Sequence, residues 1–290
     1  MSKDGATPNI LWVRASRTSR LLVYVLLSLA AIWTVIPFLW AMVNSVKTVA
    51  DTFQPGAFLP FIDFQPTLQS WNDVLSDPQA VQAFLNSIIV SCGTTVFVLI
   101  LGVPAAYSLA RFKFPIPSND IALWFLSQRV LPPAVVLVPF YLLMVQFRLI
   151  DTWEGLIFCY STFNLAFAVV IMRDIFRDVP TEIEDAAKVE GAKPWQVFWK
   201  VSLPLSLDGL IVTSVLIFAF TWNEALFASA LTSQDATTFS ALVLASRSTR
   251  GVDFNIASVN TLIGIVPPVI LYFFVQRYLA RGLTFGAVKG

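Results

Sequence analysis

The chain has 290 residues, of which 57% are hydrophobic and only 13% charged, with a formal net charge of +1. Its mean hydropathy is +0.73, and an apolar share so far above the roughly 45–50% of soluble domains excludes a soluble globular protein and predicts an integral membrane protein. Histidine is absent, and Cys92 and Cys159 lie in separate apolar stretches. That removes His-based proton relays, metal clusters, Ser-His and Cys-His catalysis, and a disulfide framework.

Six apolar stretches are long enough to cross about 30 Å of hydrocarbon as helices. The first, Leu21 to Val43, follows Lys3, Arg14, Arg17 and Arg20. Read as a cleaved leader ending at Ser28-Leu29-Ala30 it fails, because the apolar run continues through Trp33, Phe38 and Trp40. Residues 44–82 carry Pro55, Pro60, Pro66 and Pro78 among Phe53, Phe58, Phe61, Phe64 and Trp71. They read as a folded external cap, serving either as an interfacial loop or as a docking surface for an external partner.

The second stretch, Phe84 to Tyr107, holds Gly102 and Ala106, with Ala110 just beyond it, a four-residue spacing suited to close helix packing, and a kink is expected at Pro104. The third, Ile121 to Phe147, carries Gln128, Arg129 and the Pro132-Pro133 pair, which is also expected to kink its span. Arg129 is eight residues into this stretch, roughly 12 Å deep, so it is expected to face protein or water rather than lipid. The fourth stretch, Glu154 to Phe176, contributes Asn164.

Between the fourth and fifth stretches lies a polar segment, Val179 to Leu205, that reads as a helical hairpin. Thr181 and Glu184 have capping-box spacing, and Glu182, Glu184 and Asp185 put negative charge at the helix start. Gly191 can close that helix in the left-handed conformation, and Pro194 suits the first turn of the next. Ala186 and Ala187 keep one face thin, Asp185 and Glu190 offer charge to a basic partner, and Trp195, Phe198 and Trp199 are expected to form an apolar wedge. The bland alternative is a helix lying on the inner leaflet, anchored by its tryptophans.

The fifth stretch, Ser206 to Ala230, carries Trp222, Asn223 and Glu224, and the sixth runs from Ile256 to Phe274. Gln128, Arg129, Asn164, Trp222, Asn223 and Glu224 are the candidates for a polar path. Tryptophan can stack on C–H faces while amides and carboxylates bind hydroxyls. An Arg129–Glu224 ion pair or an amide network holding the spans together is the structural alternative.

Basic residues settle the expected orientation. Arg111 and Lys113; Arg173, Arg177, Lys188, Lys193 and Lys200; and Arg277, Arg281 and Lys289 fall on the side of the N-terminal cluster, while Lys47, Arg148, Arg247 and Arg250 are outnumbered by aspartates on the other. Both termini are therefore expected in the cytoplasm. The division reads as an N-terminal segment, 1–20, and one membrane domain, 21–290, with a cytoplasmic tail at about 277–290 and no repeat or second domain.

No G-x-x-x-x-G-K-[ST] loop is present, so no nucleotide site of the chain's own is expected. Ala186-Ala187, Gly191, the aromatic pair Phe198-Trp199 and Pro204 resemble the EAA loop of bacterial ABC importer permeases. The likeness continues through Ile36 to Trp40, Ala106 to Phe112, Val138 to Tyr141, Trp222 to Glu224 and the tail from Gln276 to Gly290. It points to the second permease of carbohydrate importers of the maltose and glycerol-3-phosphate type.

The resemblance implies an all-α type I importer fold with six transmembrane helices, forming half of a sugar pore in the bacterial inner membrane. The implied partners are a homologous second permease, two ATP-binding subunits, an extracytoplasmic solute-binding protein, a carbohydrate substrate and membrane lipid, with no nucleic acid. ATP and Mg would be used by the ATPases; this chain would bind no cofactor and catalyse nothing. Asp185, Ala186, Ala187, Glu190, Gly191, Trp195, Phe198 and Pro204 would couple it to the ATPases. Asp185 and Glu190 depart from the family pattern of Glu and Asp respectively, preserving charge but changing reach by one methylene. An ATP-independent channel or secondary transporter, gated by Arg129 and Glu224, is the rival reading; an intramembrane enzyme lacks a catalytic constellation.

Overall fold

The computed structural model describes residues 17–245, 247–248 and 251–286, with side chains described over 19–245 and 253–276. Lys3, Arg14, Arg250 and Lys289, and the side chains of Arg17, Arg247, Arg277 and Arg281, all used for the expected orientation, lie outside it.

The chain is built from helices joined by short links. Helix α1 is Arg17–Ser45. Short helices α2 (Val49–Thr52) and α3 (Gln69–Ser76) follow, then α4 (Pro78–Arg111), started by the Asp77 carboxylate accepting the Gln79 N–H at 2.9 Å. Helices α5 (Ser118–Ser127) and α6 (Pro133–Phe147) lead to α7 (Trp153–Asp178), whose Thr152 cap accepts the Gly155 N–H at 3.1 Å. The polar hairpin is α8 (Thr181–Val189) and α9 (Pro194–Val197), the latter running through a π turn at Phe198–Ser202 into α10 (Leu203–Leu205). Then come α11 (Leu207–Trp222), α12 (Leu226–Leu231), α13 (Phe239–Ala245), a two-residue antiparallel pair β1 (Arg247–Ser248) and β2 (Gly251–Val252), and α14 (Phe254–Gly286).

The most extensive packing is α4 against α7. Small residues allow it: a Cβ on Gly102 would come within 2.9 Å of the Ala168 Cβ, and Ala106 and Ala168 are fully buried. Helix α11 packs on α4, α7 and α14, and α1 lies against α14. The outer faces of α1, α6 and α14 are rows of exposed Leu, Val, Ile and Phe, surfaces that hydrocarbon tolerates and water does not.

Among the described residues, four single helices are long and apolar enough to cross a membrane, Ser19–Ser45, Pro78–Arg111, Trp153–Asp178 and Phe254–Gln276, and they correspond to the first, second, fourth and sixth expected spans. The third and fifth are not continuous. The third stops at Ser127 and restarts at Pro133, so the proline pair gives a complete break rather than a kink. Pro132 and Pro133 cannot donate to carbonyls one turn back, and Val130 N–H reaches only the Ser127 carbonyl at 3.1 Å. The fifth ends at Trp222, after 16 residues. There the Glu224 carboxylate takes the N–H groups of Leu226, Phe227 and Ala228 at 3.0, 3.1 and 3.4 Å, which starts α12 as a separate helix.

Residues 44–82 are folded. Lys47 is buried with its ammonium over the rings of Phe58 and Phe64, at 5.7 and 5.2 Å. Val74 and Ala80 pack with Val259 of α14, and Asn255 donates to the Ser70 hydroxyl at 2.9 Å. At the other end of the α4–α5 link, Arg173 donates to the Ser118 carbonyl at 3.1 Å, tying the start of α5 to α7.

Candidate functional site

The hairpin is seated on the bundle by a buried carboxylate that the sequence reading assigned to a different task. Helix α8 begins one residue earlier than expected, with Pro180 as its cap and no side-chain cap bond. With the cap at Pro180, Thr181 and Glu184 fall inside the helix at its first and fourth positions, so the expected Thr181–Glu184 capping box does not form. Glu184 turns inward instead and is 1% exposed. Its Oε1 accepts from Arg111 Nε and from the Ser202 hydroxyl, both at 2.8 Å, and its Oε2 from the Tyr107 hydroxyl at 3.3 Å. Arg111 also donates through Nη2 to the Val179 carbonyl at 2.8 Å. One carboxylate thereby joins α8, the end of α4 and the π turn. The desolvation cost of a buried ion pair is offset only where extra hydrogen bonds fill the remaining lone pairs, as they do here.

Around this pin the hairpin turns sharply. Gly191 has φ +90°. Its N–H reaches the Lys188 carbonyl and the Ala192 N–H the Ala187 carbonyl, both at 3.0 Å, the paired bonds of a Schellman closure. Pro194 then opens α9, and the Gln196 side chain accepts the Lys193 N–H at 2.8 Å.

The predicted coupling residues divide into two groups. Asp185, Ala186, Glu190, Gly191, Trp195 and Pro204 are exposed and Ala187 is half-buried; those of the hairpin, Asp185 to Gly191 with Trp195, form its outer ridge, and Pro204 lies beyond the π turn in α10. Asp185 pairs with Lys188 at 2.8 Å on that ridge, and this hydrogen bond raises the Lys188 ammonium above its ordinary range; both groups are well exposed, so the pair adds little stability. The expected apolar wedge is split. Trp195 and Trp199, one turn apart, are 60% and 57% exposed, whereas Phe198 is buried against Tyr107 and Phe176 with ring centroids 4.9 and 6.2 Å away. Phe198 therefore anchors the hairpin to α4 and α7 while the two tryptophans face outward.

The six polar candidates within the spans do not converge on one place. Gln128 lines a cavity of about 420 Å³ between α4, α5 and α7. Trp222 and Asn223 line another of about 610 Å³ bounded by α13 and α14. Trp222 is not free to stack on a sugar: it is 5% exposed, Phe218 covers it in a stacked arrangement, Phe84 meets it edge-on, and its indole N–H donates to the Gly264 carbonyl at 2.9 Å.

Arg129, Asn164 and Glu224 do share a cavity, of about 160 Å³, together with Tyr160 and the rings of Phe163, Phe220 and Phe227. Arg129 and Glu224 are not ion-paired. Glu224 is committed to the start of α12, and the Arg129 guanidinium carbon sits 3.6 Å above the Phe167 ring, which stacks on Phe220 at 5.1 Å. Sequence reasoning missed Glu184 as a buried pin and Tyr160 as a cavity residue. The available signal for the first was Tyr107 and Arg111, four residues apart and so on one face of α4; Tyr160 sits in an apolar run with none.

A family model for the inner membrane component of binding-protein-dependent transport systems matches residues 99–285. The chain belongs to this family. Among its relatives, a probable ABC transporter permease protein, y4oR, of Sinorhizobium fredii is 32% identical over 276 residues, covering 94% of this chain and 98% of that protein. The trehalose transport system permease protein SugB of Mycobacterium tuberculosis is 33% identical over 263 residues, 89% of this chain and 93% of SugB. In fold, the permease matches a chain of the bacterial ABC transporter that imports the acidic polysaccharide alginate, with a TM-score of 0.75, 22% identity, and coverage of 94% and 99%. It is thus a multi-pass membrane permease of an ABC importer, with the all-α fold expected, and ATP hydrolysis belongs to separate subunits.

Proposed function

We propose that this permease forms half of the pore of an ATP-driven carbohydrate importer and is driven through its hairpin. The sugar assignment rests on the trehalose permease, alike over nearly its whole length. The observation that carries the coupling role is the Glu184 pin: it fixes an exposed ridge, Asp185 to Gly191 with Trp195, rigidly to the end of α4. A force applied to the ridge must then move the spans.

The partners in this reading are a homologous second permease, two ATPase subunits whose grooves grip the ridge, and a solute-binding protein that delivers sugar at the opposite end. The hairpin and both termini are cytoplasmic, and ATP and Mg are used by the ATPases. ATP must bind the outward-facing state more tightly than the inward-facing one, since only differential affinity can shift that equilibrium.

The test is ATPase activity of the complex purified with its ATPase subunits, with and without binding protein and a sugar panel. Stimulation by one sugar-loaded binding protein is expected. Failure to co-purify any ATPase would overturn the reading in favour of an ATP-independent channel or carrier.

A further inference from the structure

We propose that the tip of the cap, Phe58 to Phe64, is a membrane-interface anchor that dips Phe61 and Ile62 into the headgroup layer at the C-terminal end of α1, the outer leaflet in the orientation proposed above. This goes beyond the coupling role and rests only on the chain being a membrane permease.

The tip is built to show apolar side chains rather than to hide them. Phe61 and Ile62 are 76% and 78% exposed. Phe61 also has φ +67°, a left-handed backbone that is an outlier for an aromatic residue. Strain of this kind persists only where the surroundings fix it, and here they do. The Asp63 carboxylate accepts the Phe58 and Leu59 N–H groups at 2.9 and 2.8 Å, and Phe64 is buried against the Lys47 ammonium.

The backbone supplies a second, independent observation. Phe61 N–H reaches the Phe64 carbonyl at 2.9 Å, and the Ile62 and Asp63 N–H groups reach the Leu59 carbonyl at 3.3 and 3.0 Å. Residue 60 is proline, so every backbone N–H from Phe58 to Asp63 is bonded within the tip. A loop in water can leave such groups to solvent, whereas a low-dielectric setting demands internal partners.

Helix length sets the level at which the tip stands. Ser19–Ser45 has 27 residues, about 40 Å of helix, which matches a bilayer measured with its headgroups. Its end, and Lys47 two residues on, therefore lie at headgroup level, and the Phe58 and Phe64 rings stand 5.7 and 5.2 Å from that ammonium. An aromatic belt marks the same level. Phe254, the first residue of α14, meets Trp40 of α1 and Phe53 of the cap edge-on, each at 6.1 Å, and all three are exposed. The lipid-facing surface of α1 and α14 thus continues into the cap.

Charge decides how the tip is held. Residues 48–82 carry Asp51, Asp63, Asp73 and Asp77 and no lysine or arginine, so nothing there attracts anionic headgroups. Burial of apolar area alone drives the contact, which makes it insensitive to salt and to anionic lipid.

The test places an environment-sensitive fluorophore on Ile62→Cys in the complete complex, reconstituted with phosphatidylcholine brominated either near the headgroup or near the end of the acyl chain. Cys92→Ala removes the exposed native thiol, and Cys159 is fully buried. Ile32→Cys, at the middle of α1, and Asn72→Cys, exposed on α3, are the references. Quenching at residue 62 by shallow bromines is expected to exceed that at residue 72 about threefold or more, and to exceed quenching by deep bromines, the reverse of residue 32. It is expected to stay constant when salt, anionic lipid or binding protein is added. Quenching at residue 62 no greater than at residue 72 would overturn the proposal. So would a fluorophore that stays in water until binding protein shields it, which would make the patch a protein dock. None of these outcomes needs transport, so the proposal can fail with the importer reading intact, and the reverse.

Discussion

The hairpin seat and the small cavity each hold a charged side chain, Glu184 fully buried and Arg129 partly so, and they treat it in opposite ways. At the seat, Glu184 receives three donors and Arg111 has a second acceptor in the Val179 carbonyl. At the small cavity, Arg129 rests on aromatic faces, and its Nη1 and the Asn164 Oδ1 have no hydrogen-bond partner among the described residues. A saturated network has one low-energy arrangement and makes a stiff joint; an unsaturated one leaves its members less firmly fixed. The hairpin seat is thus the stiffer of the two places, as the proposed coupling role requires.

The largest way to break this comparison is at the seat. Arg111→Ala leaves Glu184 buried without its cation and is expected to cost about 3–5 kcal/mol, read as a lowered thermal midpoint of the purified complex. The double variant R111M/E184M, which removes both charges, is expected to lose less than R111A alone. Arg129→Met, by contrast, exchanges a cation on rings for an apolar chain and is expected to cost under about 2 kcal/mol. Equal losses at the two sites would erase the distinction.

Next in size is Gly155→Ala, whose new methyl would run into the Leu149 carbonyl oxygen at the start of α7; about 1–3 kcal/mol is expected in the same assay. Gly191→Ala comes below it, at about 1 kcal/mol, from the left-handed backbone alone. No atom lies within 4 Å of where that Cβ would sit. Even Gly191→Asp is therefore expected to fold and insert, and loss of transport in it must come from the ATPase groove.

The smallest effect is expected at Asp151. Burial pushes its carboxyl up, but the N–H groups of Ala236, Ser233, Asp235 and Gln234 outweigh this and hold it below the usual carboxylate range. A depressed folded value means that its contribution is complete above the unfolded pKa of about 3.9 and is lost as pH falls through the folded value. Asp151→Asn should lower the thermal midpoint at neutral pH, and the gap from wild type should close on acidification. A gap independent of pH would contradict the charge-assisted clamp.

Much of this architecture is readable from residue order because it is local. Apolar run lengths mark the spans, Gly191 and Pro194 punctuate the hairpin, and the Gly102–Ala106 spacing marks the α4 face that meets α7. What escaped is set by distant partners. Glu184 looks like a dipole-complementing acid at a helix start until Arg111, 73 residues away, folds against it. Glu224 looks like a span residue until its carboxylate is seen capping α12, and Trp222 looks like a sugar platform until Phe84 and Phe218 cover it. A proline pair announces disruption, but whether it bends or severs a span depends on what fills the gap.

The most direct test of the force-transmitting seat is the ratio of sugar imported to ATP hydrolysed in proteoliposomes carrying Glu184→Gln, which keeps the shape and removes the charge. Binding-protein-stimulated ATP hydrolysis that persists while uptake per ATP falls severalfold is the predicted result; an unchanged ratio would show that the seat does not carry the coupling.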